Sequence, residues 1–317
     1  MTPETYPLTV QVYTPENKTL WDTFVSNAKN TVFLFLRDYM EYHSHRFSDH
    51  SLMFYDSDKL VALLPANTYN GTLYSHGGLT FGGVISGYNM KTPLMLNIFD
   101  AIVAHCQNIG LTKIVYKRIP YIYHLVPADE DLYALFKINA HLSARNVSST
   151  IYLPNAPGFD GNRKDNIRKA KKNNLVVKQS SDFETFMKIE EEVLIERHGV
   201  KPVHSAEEIK LLAERFPDNI QLYGSFRGST MLAGIIIYES QNVAHMQYAS
   251  NSKEGWTIGA QDLIEDYLIN QRYPDKKYFD FGISTEKQGE VLNLGLIKRK
   301  ENFGASAVMY DTYQIVL

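Results

Sequence analysis

The sequence predicts an α/β protein made of two halves, each with a mixed sheet flanked by helices. Three observations support this prediction. The chain has 317 residues, and domains usually hold about 100–200 residues, so two domains are expected. The same order of elements occurs twice along the chain, as helix, hairpin strands, strand, helix, strand, helix, strand. A segment rich in proline and glycine, Leu153–Gly161, separates the two occurrences.

The first half begins with a helix at Lys18–Ala28, where apolar residues repeat at helical spacing. The short polar run at 56–58 is typical of a hairpin turn. A long helix at Pro93–Ile109 has proline in its first turn, and Gly110 follows its end. The other elements predicted here are strands at Val32–Leu36, Leu52–Tyr55, Lys59–Ala66, Leu73–Leu79, Lys113–Lys117 and Ser149–Leu153, and a helix at Glu130–His141.

The second half repeats this order. A helix fits Asp182–His198, and a second helix at Ala206–Arg215 follows Ser205, with Glu208 three residues on as in a capping box. A turn at 227–229 separates two strands. The other predicted elements are strands at Ile220–Phe226, Met231–Glu239, Asn242–Ala249, Lys277–Ile283 and Ala307–Leu317, and helices at about Gly259–Gln271 and Glu290–Phe303.

These elements predict a domain at 1–153, a linker at 154–161 and a second domain at 162–317. The halves show no residue-level repeat, so the duplication rests on the order of elements alone.

Composition excludes several classes of function. The formal net charge is -3, which gives the whole surface no attraction for DNA or anionic membranes. No run approaches the ~18 apolar residues of a membrane span, and Met1–Val12 does not have the pattern of a secretory signal. The single cysteine excludes an intrachain disulfide. We therefore expect a cytoplasmic protein.

The segment Val243–Leu268 carries the clearest functional signal. A strand leads into a loop of small residues and then into the start of a helix, where free backbone N–H groups and the helix dipole favour a pyrophosphate. An ordinary tight turn is the alternative interpretation. The residues expected to bind the cofactor are Tyr248, Ala249, Ser250, Trp256, Thr257, Ile258, Gly259, Ala260 and Gln261.

Four local patterns resemble the GNAT (Gcn5-related N-acetyltransferase) superfamily, in particular the tandem-domain branch with Fem-type aminoacyltransferases and bacterial sugar-cluster acetyltransferases. The resemblance covers nearly the whole chain. The patterns are the basic helix start at 162–170, the glycine-rich run at 74–83, the helix end at 296–305, where a lysine is followed by two residues and then Phe-Gly, and the loop at 257–261. That loop departs from the superfamily pattern, which has a basic residue or glutamine at its start and more glycines.

The resemblance implies two GNAT-like domains with mixed, mostly antiparallel sheets, the first on the acceptor side and the second on the donor side. It also implies that the strands at Val243–Ala249 and Lys277–Ile283 splay apart around the pantetheine of acetyl-CoA or another acyl-CoA. The implied reaction is acyl transfer from this small-molecule donor to an amine acceptor, on a sugar nucleotide or a cell-envelope precursor.

The resemblance and the residue types together suggest further site residues, each with a structural alternative. Ser75, His76, Gly77 and Gly78 line an acceptor cleft or shape a strand edge. Arg163 and Arg168 contact an anionic substrate or belong to a solvated helix face. His198, Lys201 and His204 lie in a loop that borders the acceptor pocket in the superfamily, and the alternative for such a loop histidine is an ordinary surface polar residue. Lys300 stabilises an oxyanion or complements the helix dipole. His245, His198, His204 and Glu239 are the candidates for the general base.

Two other functions remain open from the sequence. One is a Fem-type aminoacyltransferase that uses charged tRNA, although the coiled-coil arm usual in those enzymes is not visible in Asp182–Leu317. The other is a non-catalytic binding protein on the same fold. No metal is predicted, because the histidines at 43, 45 and 50 have no cysteine partner.

Overall fold

A computed structural model of the chain describes residues 8–317, with every side chain except those of residues 197 and 198. Residues 1–7, part of the N-terminal segment that lacks the pattern of a secretory signal, lie outside the described residues. The chain divides into two compact units. Unit 1 contains residues up to 146 together with 286–291 and 309–317, and unit 2 contains 147–285 and 292–308. The linker expected at 154–161 falls inside unit 2.

Unit 1 is built on two sheets around a core that includes Phe54, Phe99 and Tyr116. One sheet has the strand order β1-β3-β4-β7, and in the other β8 pairs with β6, β6 with β5, and β5 with β2. Its elements are β1 (Leu8–Val12), α1 (Lys18–Ser26), α2 (Arg37–Met40), β2 (Ser48–Asp49), β3 (Leu52–Asp56), β4 (Lys59–Leu64), β5 (Asn67–Tyr69), β6 (Thr72–Tyr74), β7 (Ile85–Ser86), α3 (Thr92–Asn108), β8 (Lys113–Lys117) and α4 (Glu130–Lys137).

The rest of the chain forms unit 2, except that residues 286–291 and 309–317 belong to unit 1. Its elements are β9 (His141–Tyr152), α5 (Gly161–Lys172), β10 (Val176–Ser180), α6 (Phe183–His198), α7 (Ala206–Arg215), β11 (Ile220–Arg227), β12 (Thr230–Glu239), β13 (Val243–Asn251), α8 (Lys253–Ile258), α9 (Ala260–Tyr267), β14 (Tyr278–Ile283), β15 (Thr285–Glu286), β16 (Val291–Leu292), α10 (Leu294–Glu301) and β17 (Ser306–Val316).

The sheet of unit 2 has the order β10-β11-β12-β13-β14-β9. All its pairs are antiparallel except β13 with β14, which run parallel. Helices α5 and α9 cover one face, over a core that includes Ile235, Phe279 and Phe303. Helix α6 packs on β12 and β13, where the Phe186 ring lies against Gly234. The α/β class and the mixed, mostly antiparallel sheet are therefore confirmed.

Several local predictions hold. The capping box at α7 is complete: Glu208 N donates to Ser205 Oγ at 3.1 Å, and Ser205 N donates to a Glu208 carboxylate oxygen at 2.9 Å. The β11–β12 turn lies at 227–230, as expected.

Other elements differ from the prediction. The expected strand at Val32–Leu36 is a 3-10 helix, Phe33–Phe35, whose three residues are all buried. A short apolar run without alternation does not distinguish a strand from a buried turn of helix. The helix expected from Glu290 begins only at Leu294, because Asn293 caps it by accepting from Leu296 N at 3.0 Å.

Candidate functional site

The parallel strands β13 and β14 separate soon after they pair. Their ladder holds three residue pairs and ends at His245 opposite Asp280, although β13 continues to Asn251 and β14 to Ile283. On the other edge of β13, the register with β12 shifts between Ile236 and Ile237, which leaves Gln247 as the extra residue of a bulge. A bulge bends its strand and increases the twist. The separation that the resemblance implied is therefore present in this sheet.

A cleft of about 1090 Å³ opens where the strands separate. Its floor is apolar and includes Met246 and Phe281, and a polar wall rises from α5, α9 and α10. Ligand sites commonly combine such an apolar floor with a few convergent polar groups. The polar and charged side chains that line the cleft include Arg163, Asn251, Thr257, Gln261, Asp262, Arg299 and Lys300.

The expected pyrophosphate loop is a short helix followed by a sharp turn. Helix α8 ends at Gly259, whose φ of +77° is in the left-handed region, and α9 begins at the next residue. A Cβ on residue 259 would lie 2.5 Å from the backbone oxygen of Asn166, so glycine is required here. Gln261 N, in the first turn of α9, donates to Asn251 Oδ1 at 3.2 Å.

The expected cofactor residues divide into two groups. Ala249, Trp256, Thr257, Gly259 and Gln261 line the cleft. The others do not: Ala260 is buried in the core and Ile258 packs against it. Tyr248 and Ser250 bond instead to groups on α6 and on the loop before α7.

A buried ion-pair network forms the polar wall. Arg299 donates to Glu265 at 2.8 and 2.9 Å and to Asp262 at 3.0 Å, and Arg163 donates to Asp262 at 3.0 and 3.1 Å. Asn166 Nδ2 adds a bond of 2.6 Å to Asp262. Glu265 is fully buried, and burial raises the pKa of its carboxyl while Arg299 lowers it. Arg163, which was expected to contact a substrate, lines the cleft with its guanidinium bonded to Asp262.

Where the ladder of β13 and β14 ends, one residue before the cleft residues Met246 and Phe281, His245 pairs with Asp280. His245 Nδ1 donates to Asp280 Oδ2 at 2.8 Å, and the second carboxylate oxygen accepts from Ser148 at 2.5 Å and Thr150 at 2.8 Å. Asp280 is fully buried. The carboxylate fixes the imidazole tautomer, so that Nε2, which makes no hydrogen bond within the described part of the chain, can accept a proton.

Lys300 bonds to the backbone at the end of β14, the strand that carries Asp280. Its ammonium donates to the carbonyls of Gly282 and Ile283, each at 2.8 Å, and burial lowers its pKa to about 8. A Cβ on Gly282 would lie 3.4 Å from His245 Cε1. Gly282 therefore lies close to both groups: the imidazole of His245 is next to its Cα, and the ammonium of Lys300 donates to its carbonyl. Two of the three ammonium hydrogens are used in these bonds, which leaves one for a substrate.

A second polar group lies on the face of β13 near α6. His204 Nδ1 and Tyr248 Oη are 2.5 Å apart, and Ser250 donates to the carboxylate of Glu190 on α6. Burial raises the pKa of Glu190. The side chain of His198, the other histidine expected nearby, lies outside the described residues.

Three further expected residues lie elsewhere. Glu239, a candidate base, forms an ion pair with Lys276 at 2.8 Å and does not line the cleft. Lys201 is exposed and pairs with Glu191 at 3.0 Å. Arg168 is exposed on α5 and pairs with Asp165. None of these three side chains lines the cleft.

The glycine-rich segment of unit 1 is mostly packed internally. Ser75 and His76 are buried. A Cβ on Gly78 would lie 2.3 Å from His43 Nε2, so this glycine permits close packing. Gly77 alone of the four expected acceptor residues lines a cavity in unit 1.

Sequence reasoning missed three acids: Asp262, which lines the cleft, and Glu265 and Asp280, which are fully buried. For Asp280 the available signal was an acid within the otherwise apolar and aromatic strand Tyr278–Ile283, and the sequence analysis did not use it. The acids of α9 had no such signal, because carboxylates in a first helical turn are common.

Neither a protein-family model nor a curated protein sequence matches this chain. Solved structures do. FemX matches with a TM-score of 0.69 and 11% identity, over 98% of this chain and 97% of FemX. L-PGS from Bacillus licheniformis matches with a TM-score of 0.58 and 12% identity, over 96% and 92%. A tandem GNAT protein from the clavulanic acid biosynthesis pathway matches with a TM-score of 0.50 and 11% identity, over 97% and 98%.

The chain therefore has the fold of these proteins, one of which is a tandem GNAT protein, and the resemblance found in the sequence is confirmed at the level of the fold. No helix within residues 8–317 is long and apolar enough to cross a membrane. Among the same residues, no three His, Cys, Asp or Glu side chains converge as a metal site.

Proposed function

We propose that the chain is an acyltransferase that moves an acyl group from a thioester, acyl-CoA, to an amine. The observation that carries this proposal is the cleft between the separated strands, with His245–Asp280 and Lys300 on either side of Gly282. The amine of a sugar nucleotide or cell-envelope precursor is the proposed acceptor. The donor carbonyl would lie against the edge of β13 beyond His245, where the strand no longer pairs with β14 and its backbone N–H groups can polarise a carbonyl.

In this mechanism the amine nitrogen attacks the thioester carbon, a C–N bond forms and the C–S bond breaks. His245 Nε2 takes the proton from the attacking amine, and Asp280 stabilises the resulting imidazolium. The leaving thiolate takes a proton from Lys300. Because the pKa of Lys300 is about 8 and that of a free thiol is about 8.5, this proton transfer is nearly balanced. The cleft contributes further by holding donor and acceptor in reacting geometry.

Asp280→Asn provides the test of the dyad. Asparagine keeps the shape and the bonds from Ser148 and Thr150, but its amide can present an N–H to His245 and select the wrong tautomer. We expect turnover to fall about 100-fold. The assay follows release of free CoA thiol from acetyl-CoA with a panel of amino sugars and nucleotide-linked amino sugars. Asp266→Asn is the control, because this carboxylate of α9 pairs with Lys171 and does not line the cleft.

The thermal midpoint of Asp280→Asn with and without CoA separates a folding defect from a chemical one. Wild-type turnover in a folded Asp280→Asn protein contradicts the role of the dyad. Absence of any acyl transfer by the wild-type chain, with CoA bound, favours a binding protein instead.

One observation favours a second donor, an aminoacyl ester carried by tRNA. In the first turn of α9, a backbone N–H bonds to Asn251, and the carboxylate of Asp262 is already at the positive end of the helix dipole. A diphosphate placed there would be repelled by the buried carboxylates of Asp262 and Glu265. An aminoacyl ester on the 3′ end of tRNA has no diphosphate and avoids this repulsion. Calorimetry with CoA and with a charged tRNA minihelix distinguishes the donors, because a protein that uses tRNA binds only the minihelix.

A further inference from the structure

Unit 1 contains a separate cavity of about 660 Å³. We propose that this cavity is a saccharide-binding site. The proposal does not depend on acyl transfer, because it concerns other residues and is tested by binding alone. The side chains that carry it are three aromatic rings, one amide and one guanidinium: Phe47, Tyr69, Tyr74, Asn67 and Arg46.

Phe47 is a rigid aromatic wall. Its ring centroid is 4.8 Å from that of His43 and 5.3 Å from that of His76. A Cβ on Gly78 would lie 2.6 Å from the same ring, so the backbone packs directly behind it. A ring held in this way binds without further loss of side-chain entropy.

The second wall comes from a single sheet face. Asn67 and Tyr74 are directly opposite each other on β5 and β6, so their side chains share a face, and Tyr69 is two residues along β5 on that face. Tyr69 is 64% exposed, so its ring is available to a ligand at little cost in desolvation. The C–H groups on one face of a sugar ring pack well on the electron-rich face of an aromatic ring.

Asn67 supplies a directional polar group among these rings. It is only 4% exposed, and its Oδ1 accepts from Gly77 N at 2.6 Å. Its Nδ2 makes no hydrogen bond within the described part of the chain. A buried amide that is fixed through its oxygen therefore presents two N–H donors to the cavity, and sugar hydroxyls are matching acceptors.

The charge of the lining selects among ligands. No carboxylate is among the cavity residues that the structure describes, and the cation is Arg46, whose Nε is 3.3 Å from His45 Nε2. Hydroxyl-bearing side chains, Ser44 and Ser48, complete the rim. Amide, hydroxyl and aromatic groups outnumber charges here, which suits a neutral or singly acidic sugar better than a nucleotide with its phosphates.

The test is a titration of the full chain with glucose, N-acetylglucosamine and glucuronic acid, and with uridine monophosphate as the nucleotide probe, by saturation-transfer NMR and calorimetry. We expect saccharide binding that Tyr69→Ala weakens at least about tenfold. Tyr88→Ala is the matched control: Tyr88 is 57% exposed in the same unit and does not line the cavity. Its binding should equal that of the wild type.

Asn67→Asp sharpens the test, because aspartate keeps the acceptor for Gly77 N and replaces the two N–H donors with an oxygen. Loss of saccharide binding in a folded Asn67→Asp protein supports the proposal; if this variant unfolds, Tyr69→Ala at its exposed position still decides. The proposal is overturned if no saccharide binds the wild-type chain, if Tyr69→Ala binds as well as Tyr88→Ala, or if only uridine monophosphate binds.

Discussion

Each unit contains a parallel strand pair, and the two pairs differ in the course that the chain takes beyond them. In unit 1, β6 and β8 form three residue pairs, and the chain after β6 stays bonded to β8: Ser75 N donates to Val115 O and Gly82 N to Lys117 O, both at 2.9 Å. Lys117 N returns a bond of 2.7 Å to Ser75 Oγ. In unit 2, β13 and β14 also form three pairs, but the strands then separate around a cleft.

We call β6 and β8 the closed pair, because the chain beyond them stays hydrogen-bonded, and β13 and β14 the open pair, because a cleft separates them. The same parallel pairing can therefore continue or separate. The closed pair depends on a short loop whose glycine permits backbone contact, since a Cβ on Gly82 would lie 2.1 Å from Ser75 O. The open pair depends on a bulge at Gln247 and on a charged wall. Acyl transfer is accordingly proposed for unit 2 alone, because a shared fold does not by itself imply a shared function.

The largest effect is expected from the buried ion-pair network that forms the polar wall of the cleft. Arg299→Met leaves the fully buried Glu265 without its main cation and should lower the free energy of unfolding by about 3–5 kcal/mol. Because burial raises the pKa of Glu265, the carboxyl is neutralised more readily as pH falls, so the loss should be smaller in mildly acid buffer than at neutral pH.

Urea unfolding measures this loss. Arg168→Met is the control, since that arginine forms an exposed pair and should change stability by less than about 0.5 kcal/mol. Equal stabilities for the two variants would mean that the ion pair between Arg299 and Glu265 does not stabilise the fold around the cleft.

Next in size is the effect of Lys300→Met on turnover. Methionine keeps the buried stem but removes the ammonium, and we expect a fall of about 100-fold, or ~2.7 kcal/mol in transition-state stabilisation. In the wild type, turnover should decline as pH rises through about 8, because the charged form of Lys300 is lost. Lys298→Met, an exposed change on the same helix, should keep both rate and profile. A profile shared by the wild type and Lys300→Met would assign this decline to another group.

The closed pair is tested by Gly82→Ala. The new methyl group has no room beside Ser75 O, so we expect a loss of about 1–3 kcal/mol in stability by thermal unfolding. In the control Gly87→Ala, the nearest atom is 3.9 Å from the added Cβ and stability should change little. If both variants are as stable as the wild type, the loop does not hold β6 and β8 together.

The smallest effect concerns the donor. Thr257 is exposed at the cleft, and Thr257→Glu adds a negative charge where an anionic donor would pass, so CoA should bind about tenfold more weakly, or ~1.4 kcal/mol, than to Thr257→Gln of the same size. Calorimetry that gives equal Kd values would place the phosphates elsewhere. Gly259 is unsuitable for this test, because its positive φ and the contact with Asn166 make any substitution there a folding defect.

The sequence was sufficient for local features and for the class of fold. Spacing alone located the capping box of α7 and the β11–β12 turn, and the family resemblance pointed to Lys300, which lines the same cleft as Gly259. What it could not predict are pairings between residues far apart in the chain. Asp280 meets His245 across 35 positions, and Arg299 meets Glu265 across 34.

The bulge at Gln247 and the closed loop at 75–82 could not be predicted for a related reason. Each depends on the register of one strand against a neighbour, which propensity does not encode. The segment 75–83 therefore had two interpretations from sequence, an acceptor cleft or a strand edge, and burial of Ser75 and His76 agrees with the second.

Unit 1 is built from segments that are far apart in the chain, and this affects the order in which the two units can fold during synthesis. Strand β8 at Lys113–Lys117 takes its antiparallel partner from Thr312–Val316, almost two hundred residues later. This edge of β8 thus stays unpaired until β17 has left the ribosome, whereas the residues of unit 2 have all been synthesised by residue 308. Unit 1 is therefore completed after unit 2, and the exposed edge of β8 is where the nascent chain is most open to wrong pairing.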